Sequence, residues 1–247
     1  MCPYETAVLG SSNFCPLFTE DQWSAYGYTL DLQFYGDYGP GSPSGRAQGL
    51  GWVLELAARL NHTLPSTQSA NINLTLDANP ATFPVHQPLY MDMSHDDVIV
   101  SVLTALGMQY FTFPGGKGLP RDVREPPARR FKLGEIAPFG AHFVAEVYSC
   151  PSDMDRVVLG GETMYENPDL SGSGVETEEW LRFVLNGKPV PLEGVSGCEG
   201  GNDGGHGMCR VKGFLGGVEE MVRVAEWDRA CLGNYTSPGQ VGDGHPV

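Results

Sequence analysis

Nowhere in these 247 residues does an apolar run approach the roughly 20 residues that span a bilayer, so the sequence predicts no transmembrane helix. Positive charge is scarce: 15 Lys and Arg stand against 30 Asp and Glu, a formal net charge of −15. Such a surface repels phosphate backbones and anionic lipid, which argues against nucleic acid and membrane as partners but not against a local basic pocket. The spacings Cys-x-x-Cys and His-x-x-x-His are both missing, so neither a metal nor any other cofactor is expected. Met1-Cys2-Pro3-Tyr4-Glu5 has neither the basic n-region nor the apolar h-region of a secretion leader. No internal repeat emerges.

What is abundant points to loops. The 33 Gly and 19 Pro predict many turns rather than a helical bundle, in a chain long enough for one large domain or two small ones. Six cysteines include two short-range pairs. Cys2 and Cys15 bracket a Ser-rich loop. Cys198 and Cys209 bracket a Gly-rich one that can bury almost nothing, so a covalent clasp of about 2–3 kcal/mol is its expected source of order. Three acceptor sequons, at Asn61, Asn73 and Asn234, agree with an oxidising, secretory route and predict glycosylation there. A secreted body without a leader leads to the expectation that the beginning of the protein lies outside this sequence.

Thr19-Glu20-Asp21-Gln22 reads as a capping box opening a helix through about Tyr35, and Leu50, Val53, Leu54, Ala57 and Leu60 place a second near residues 47–61. Gly49 and Gly51 weaken that second helix unless another backbone packs closely against it. Residues 62–87 are polar and Pro-punctuated, hence loop. Leu89 to Met93 reads as a short strand, Val98 to Gly107 as an apolar helix, and Ala141 to Ser149 as a strand. Residues 151–178 resemble an acidic surface insertion. Asn186-Gly187 signals a hairpin between Trp180–Leu185 and Lys188–Leu192, and a last amphipathic helix covers about 214–227. Helices first, then mixed strands and helices, suit an α domain joined to an α/β domain.

One tetrad carries chemistry. Ser94-His95-Asp96-Asp97 lies between the expected strand and the apolar helix, beside a helix N-terminus with free backbone N–H groups. The macrodipole and those amides favour an anion such as phosphate, and His95 and Asp96 can handle protons. The plainer alternative is that Ser94 or Asp96 merely caps the helix.

Several segments together resemble the histidine acid phosphatases, most closely the fungal 3-phytases. They are Cys2-Pro3-Tyr4-Glu5-Thr6, Phe14-Cys15-Pro16-Leu17-Phe18-Thr19, Gln48-Gly49-x-Gly51, Glu55-Leu56-x-Ala58-Arg59-Leu60, Asn79-Pro80-Ala81-Thr82-Phe83-Pro84, Ser94-His95-Asp96 and Pro138-Phe139-Gly140-Ala141. The resemblance implies an α/β fold: the phosphoglycerate-mutase-like sandwich domain, incomplete, over 88–247, with part of a smaller α domain over 1–87. It implies a phosphohistidine intermediate, with His95 binding the phosphate and Asp96 protonating the leaving alkoxide. A carboxyl that gives up a proton must first carry one, so an acidic working range is expected. The family's nucleophile motif, Arg-His-Gly-x-Arg-x-Pro, does not occur in this sequence. The chain alone is therefore expected to be inactive, as the C-terminal portion of such an enzyme. The family pattern pairs Cys2 with Cys15 and Cys198 with Cys209, and leaves Cys150 and Cys231 for cysteines of an absent segment; a Cys150–Cys231 bond is the alternative. The implied partner is a small phosphomonoester, phytate-like, for a secreted enzyme that is monomeric when complete.

Asp97 departs from the Asn of many relatives, and a carboxylate beside a polyanion is unhelpful unless protonated or turned away. Arg129 and Arg130, with Arg121, Arg124, Lys117 and Lys132, form the one basic cluster and read either as a solvated loop or as a substrate-attracting rim. His62, His86, His206 and His245 read as solvated loop residues, and His142 as a surface residue. Two other functions compete with catalysis: a secreted module that binds phosphorylated ligands without turnover, and a metal-dependent phosphohydrolase using His95 and Asp96 as ligands.

Overall fold

A computed structural model of the chain describes all residues except 67–69, 123–125, 127–128, 152–175, 200–206, 235–240 and 246–247, with Cys150 and Pro151 by backbone alone. Most of the expected acidic insertion, Arg124, His206 and the middle of the 198–209 loop lie outside the described residues.

The chain opens with α1 (Cys2–Leu9), a helix with no buried side chain, tied by a Cys2–Cys15 disulfide to the turn that precedes α2 (Glu20–Asp37). The capping box forms as expected: Thr19 Oγ1 accepts from the Gln22 N–H at 3.3 Å and Gln22 Oε1 from the Thr19 N–H at 2.9 Å. Tyr28, Asp31 and Tyr35 of α2 face inward. α3 (Gly45–Leu60) follows the Gly/Pro turn, and its apolar face, with Leu50, Val53 and Leu56, is buried. The expected loop over 62–87 contains one helical turn, α4 (Leu74–Asp77), capped by the Asn73 side chain, which accepts from the Thr75 N–H at 3.1 Å.

α5 (Asp96–Ala105) is rich in β-branched residues, which favour helix poorly on their own. Every residue from Val100 to Ala105 is buried, so tertiary packing decides its conformation. It lies against α3 at a point where no side chain fits: a Cβ on Gly49 would stand 2.1 Å from the Ser101 carbonyl oxygen. That contact explains the glycine. Gly49→Ala is expected to force the two helices apart and to cost about 1–3 kcal/mol in urea-induced unfolding.

The strand expected at 89–93 does not form. Leu89, Met91 and Met93 are 73%, 78% and 92% exposed, and no described strand pairs with the segment. Its alternating pattern is that of an extended chain, but extended backbone becomes a strand only where a neighbour supplies the ladder of hydrogen bonds.

After α6 (Leu133–Ile136) comes the sheet. β1 (Phe143–Pro151) pairs antiparallel with β2 (Thr177–Leu185), Phe143 opposite Leu185 and Pro151 opposite Thr177. Asn186 (φ 50°) and Gly187 (φ 77°) make the two-residue turn to β3 (Lys188–Pro189), both in the left-handed region that such a hairpin requires. The expected strand to Leu192 stops at Pro189, with one further bond from the Val190 N–H to the Phe183 carbonyl at 2.9 Å. β4 (Cys209–Arg210) also pairs with β2, and the Cys198–Cys209 disulfide fixes it. α7 (Val211–Ala225) and α8 (Trp227–Leu232) complete the chain. Leu181, Phe183 and Leu185 of β2 meet Phe214 and Met221 of α7 in one core shared with Tyr28, Val53, Leu103 and Ile136. The architecture is α/β, with every described strand pair antiparallel. Among the described residues no helix is long and apolar enough to cross a membrane.

Candidate active site

His95 is the N-cap of α5, in extended backbone (φ −120°, ψ 168°), and its imidazole makes no capping bond. It stands exposed beside Ser94 and Asp96. Neither Ser94 nor Asp96 is the cap residue, so the plainer alternative does not describe this terminus. Asp96 and Asp97 occupy the first turn. Asp96 Oδ1 accepts from the Asp97 N–H at 3.0 Å, and Asp97 Oδ1 from the Val98 N–H at 2.9 Å. Asp97 is half-buried and spends its charge on its own helix terminus. The imidazole and the Asp96 carboxyl thus belong to adjacent residues at the positive end of a ten-residue helix.

What holds this turn is not a sheet but α3. Arg59 grips Asp92 with both arms, Nη1 to Oδ2 at 2.7 Å and Nη2 to Oδ1 at 3.1 Å, and Trp52 Nε1 donates to Asp92 Oδ2 at 3.2 Å. The guanidinium lies over two rings of the incoming segment, Phe83 at 5.0 Å and Tyr90 at 4.9 Å. Further up the segment, a ring nitrogen of His62, Nδ1, meets the Val85 carbonyl at 2.6 Å. Since a carbonyl only accepts, that nitrogen carries the proton. His62 and His86 stack at 5.0 Å, so these two are not simply solvated loop residues. Glu55, one helical turn before Arg59, is pushed up to about 7 by burial first, then by Asp77, with Arg59 opposing and Asp92 adding.

The sequence reading missed this strap. Its signal was a Glu/Arg pair at i,i+4 in the otherwise apolar stretch 50–60, with a spare acid three residues before His95.

The basic cluster lies elsewhere. Arg129 is not a solvated rim residue: its side chain is 7% exposed, with Nε 2.6 Å from Asp31 Oδ2 and the guanidinium over the Tyr28 ring. Arg130 is exposed and lies over Tyr110, just beyond the C-terminal end of α5. The helix alone puts about 15 Å between its two ends. The structure therefore does not bring Arg129 and Arg130 to the His95–Asp96 turn.

Of the remaining positions, His142 is exposed at the foot of β1, and His245 pairs with Asp243 at 2.7 Å. Asn61, Asn73 and Asn234 are all exposed. Cys231 is a free, exposed thiol, so the Cys150–Cys231 bond does not form. Among the described residues no group of three His, Cys, Asp or Glu side chains could hold a metal ion.

A His-Asp pair at a helix N-terminus, on a mixed α/β scaffold closed by short-range disulfides, defines a class. The chain belongs to the histidine phosphatase superfamily (branch 2), which it matches over residues 1–183. Its relatives include Phytase A of Aspergillus terreus, 39% identical over 92% of this chain, and Phytase A of Aspergillus oryzae, 32% identical over 92%. Phytase A of Emericella nidulans is 37% identical over 79% of the chain. The matched part is 43% of the first two and 38% of the third, so the chain spans less than half the length of these curated relatives.

Proposed function

We propose that this chain supplies the phosphate-binding histidine and the proton donor of a secreted phosphomonoester hydrolase acting on phytate-like substrates. The observation that carries the reading is the exposed His95 imidazole beside the Asp96 carboxyl at the N-terminus of α5. A phosphate there would accept a hydrogen bond from His95 and sit in the positive field of the helix end. In the reaction a histidine nitrogen attacks phosphorus while the P–O bond to the alcohol breaks, and Asp96 gives its proton to the departing alkoxide. Water then cleaves the P–N bond and releases inorganic phosphate. The attacking histidine belongs to the Arg-His-Gly motif, which these 247 residues do not contain. Two disulfides and three sequons support secretion.

The test is a chimera in which this chain replaces the matched part of Aspergillus terreus Phytase A. Hydrolysis of phytate and of a simple aryl phosphate is expected, and Asp96→Asn in the chimera should lower kcat by about 10²–10⁴-fold. An Asp96→Asn chimera as active as its parent from pH 3 to 7 would remove the donor role. Phosphate binding without turnover in an otherwise well-folded chimera would favour the non-catalytic module.

A further inference from the structure

We propose that Arg59 is a positioning residue for the His95–Asp96 turn, acting through Asp92. The inference rests on the functional reading above, because it concerns the same turn.

The segment that delivers His95 has no sheet to fix it. Leu89, Met91 and Met93 face solvent, and the backbone of 89–95 belongs to no helix or strand. Two residues of this stretch are held: Tyr90 lies under the Arg59 guanidinium, and Asp92 is bonded directly to α3. Asp92 receives three side-chain hydrogen bonds, two from Arg59 and one from Trp52, all from α3. Arg59 is itself immobilised: its side chain is 13% exposed, its plane rests on Phe83 and Tyr90, and Glu55 lies 3.5 Å behind it. A planar fork on a carboxylate fixes orientation as well as distance, which a flexible ammonium does not.

From Asp92 only Met93 and Ser94 intervene before the imidazole, so freeing Asp92 lengthens the unanchored chain that leads to His95. At the other side of the turn, α5 is anchored by its buried face and by the α3 contact at Gly49. His95 and Asp96 are thus held between two attachments to the same helix. Arg59 touches neither side chain; it sets where they stand.

The 247-residue chain is sufficient for the test. Backbone nitrogen-15 order parameters are measured across 89–98 in wild type, Arg59→Gln, Arg59→Lys and Asp92→Asn, with Val102 and Leu103 as core references. Inorganic phosphate is then titrated while the His95 imidazole is followed by NMR. Arg59→Gln and Asp92→Asn are each expected to lower the order parameters over 90–96 to below about 0.6, leaving the core references at about 0.85. Each should also weaken phosphate binding at His95 at least fivefold, with Arg59→Lys intermediate and the double variant no worse than the weaker single one. Weaker phosphate binding with an unchanged melting temperature is what a purely structural role would not give.

Unchanged order parameters over 90–96 in both single variants would overturn the proposal, as would an unchanged phosphate affinity where wild type binds. A wild-type chain whose His95 does not respond to phosphate would instead speak against phosphate binding at this turn, and the order parameters would then decide the positioning role alone.

Discussion

Asp31→Ala is expected to lower the unfolding free energy by about 3–5 kcal/mol, because it breaks a buried ion pair by removing one partner. Asp31 and Arg129 are 3% and 7% exposed. Asp31 Oδ2 faces Arg129 Nε at 2.6 Å, while Oδ1 accepts from the Leu133 N–H at 2.7 Å. One carboxylate thereby ties α2 to the chain entering α6. Removing it breaks the ion pair with Arg129 and takes away the acceptor of the Leu133 N–H. For a domain whose whole stability is typically about 5–15 kcal/mol, such a loss brings unfolding close to physiological temperature. Replacing the pair together, Asp31→Leu with Arg129→Met, should recover most of the loss, since the desolvation cost of both ions disappears with them. Urea unfolding of the single and double variants separates the terms; a single variant within about 0.5 kcal/mol of wild type would contradict a buried pair.

Stability is also expected to fall as pH rises from about 4.5 to about 7, through Glu55. In the unfolded chain its carboxyl titrates at the ordinary value of 4.5, and in the folded chain at about 7. Between those values the folded state holds the proton and the unfolded state has lost it. The contribution is therefore complete below about 4.5 and is lost as pH climbs through about 7. At about 1.36 kcal/mol per pH unit it amounts to as much as about 3 kcal/mol, an upper figure for a side chain that keeps some contact with water. Burial is the main cause; Asp77 and Asp92 add to it, and the single cation Arg59 only partly offsets them. Arg59 is bidentate on Asp92 at 2.7 and 3.1 Å but 3.5 Å from Glu55, so the second acid is the one left wanting a proton. Glu55→Gln should flatten the pH dependence of the urea midpoint over this range, and a slope that persists in Glu55→Gln would place the titrating group elsewhere.

Much of the framework was legible because local signals coincided with the tertiary result. The Thr19–Gln22 box and the Asn186-Gly187 turn are each decided by residues three or fewer apart, and both form. The His95–Asp96 pair was readable for the same reason, as adjacent residues before an apolar run. The failures share the opposite cause. Alternation at Leu89, Met91 and Met93 suits a strand and an unpaired strap equally, and the choice depends on whether a neighbour is present. The strap's anchor, Arg59, lies 33 residues from Asp92 in sequence. Arg129 looked solvated because arginines seldom are buried unless paired, and its partner Asp31 is 98 residues away.

Gly49 and Arg59 are ten residues apart on one helix, the first seated on the Ser101 carbonyl and the second gripping Asp92. Each residue of a helix advances the side-chain direction by about 100°. Adding or deleting a single residue between them would keep either the seat or the grip, never both. The interval from Gly49 to Arg59 is accordingly a gauge of fixed length.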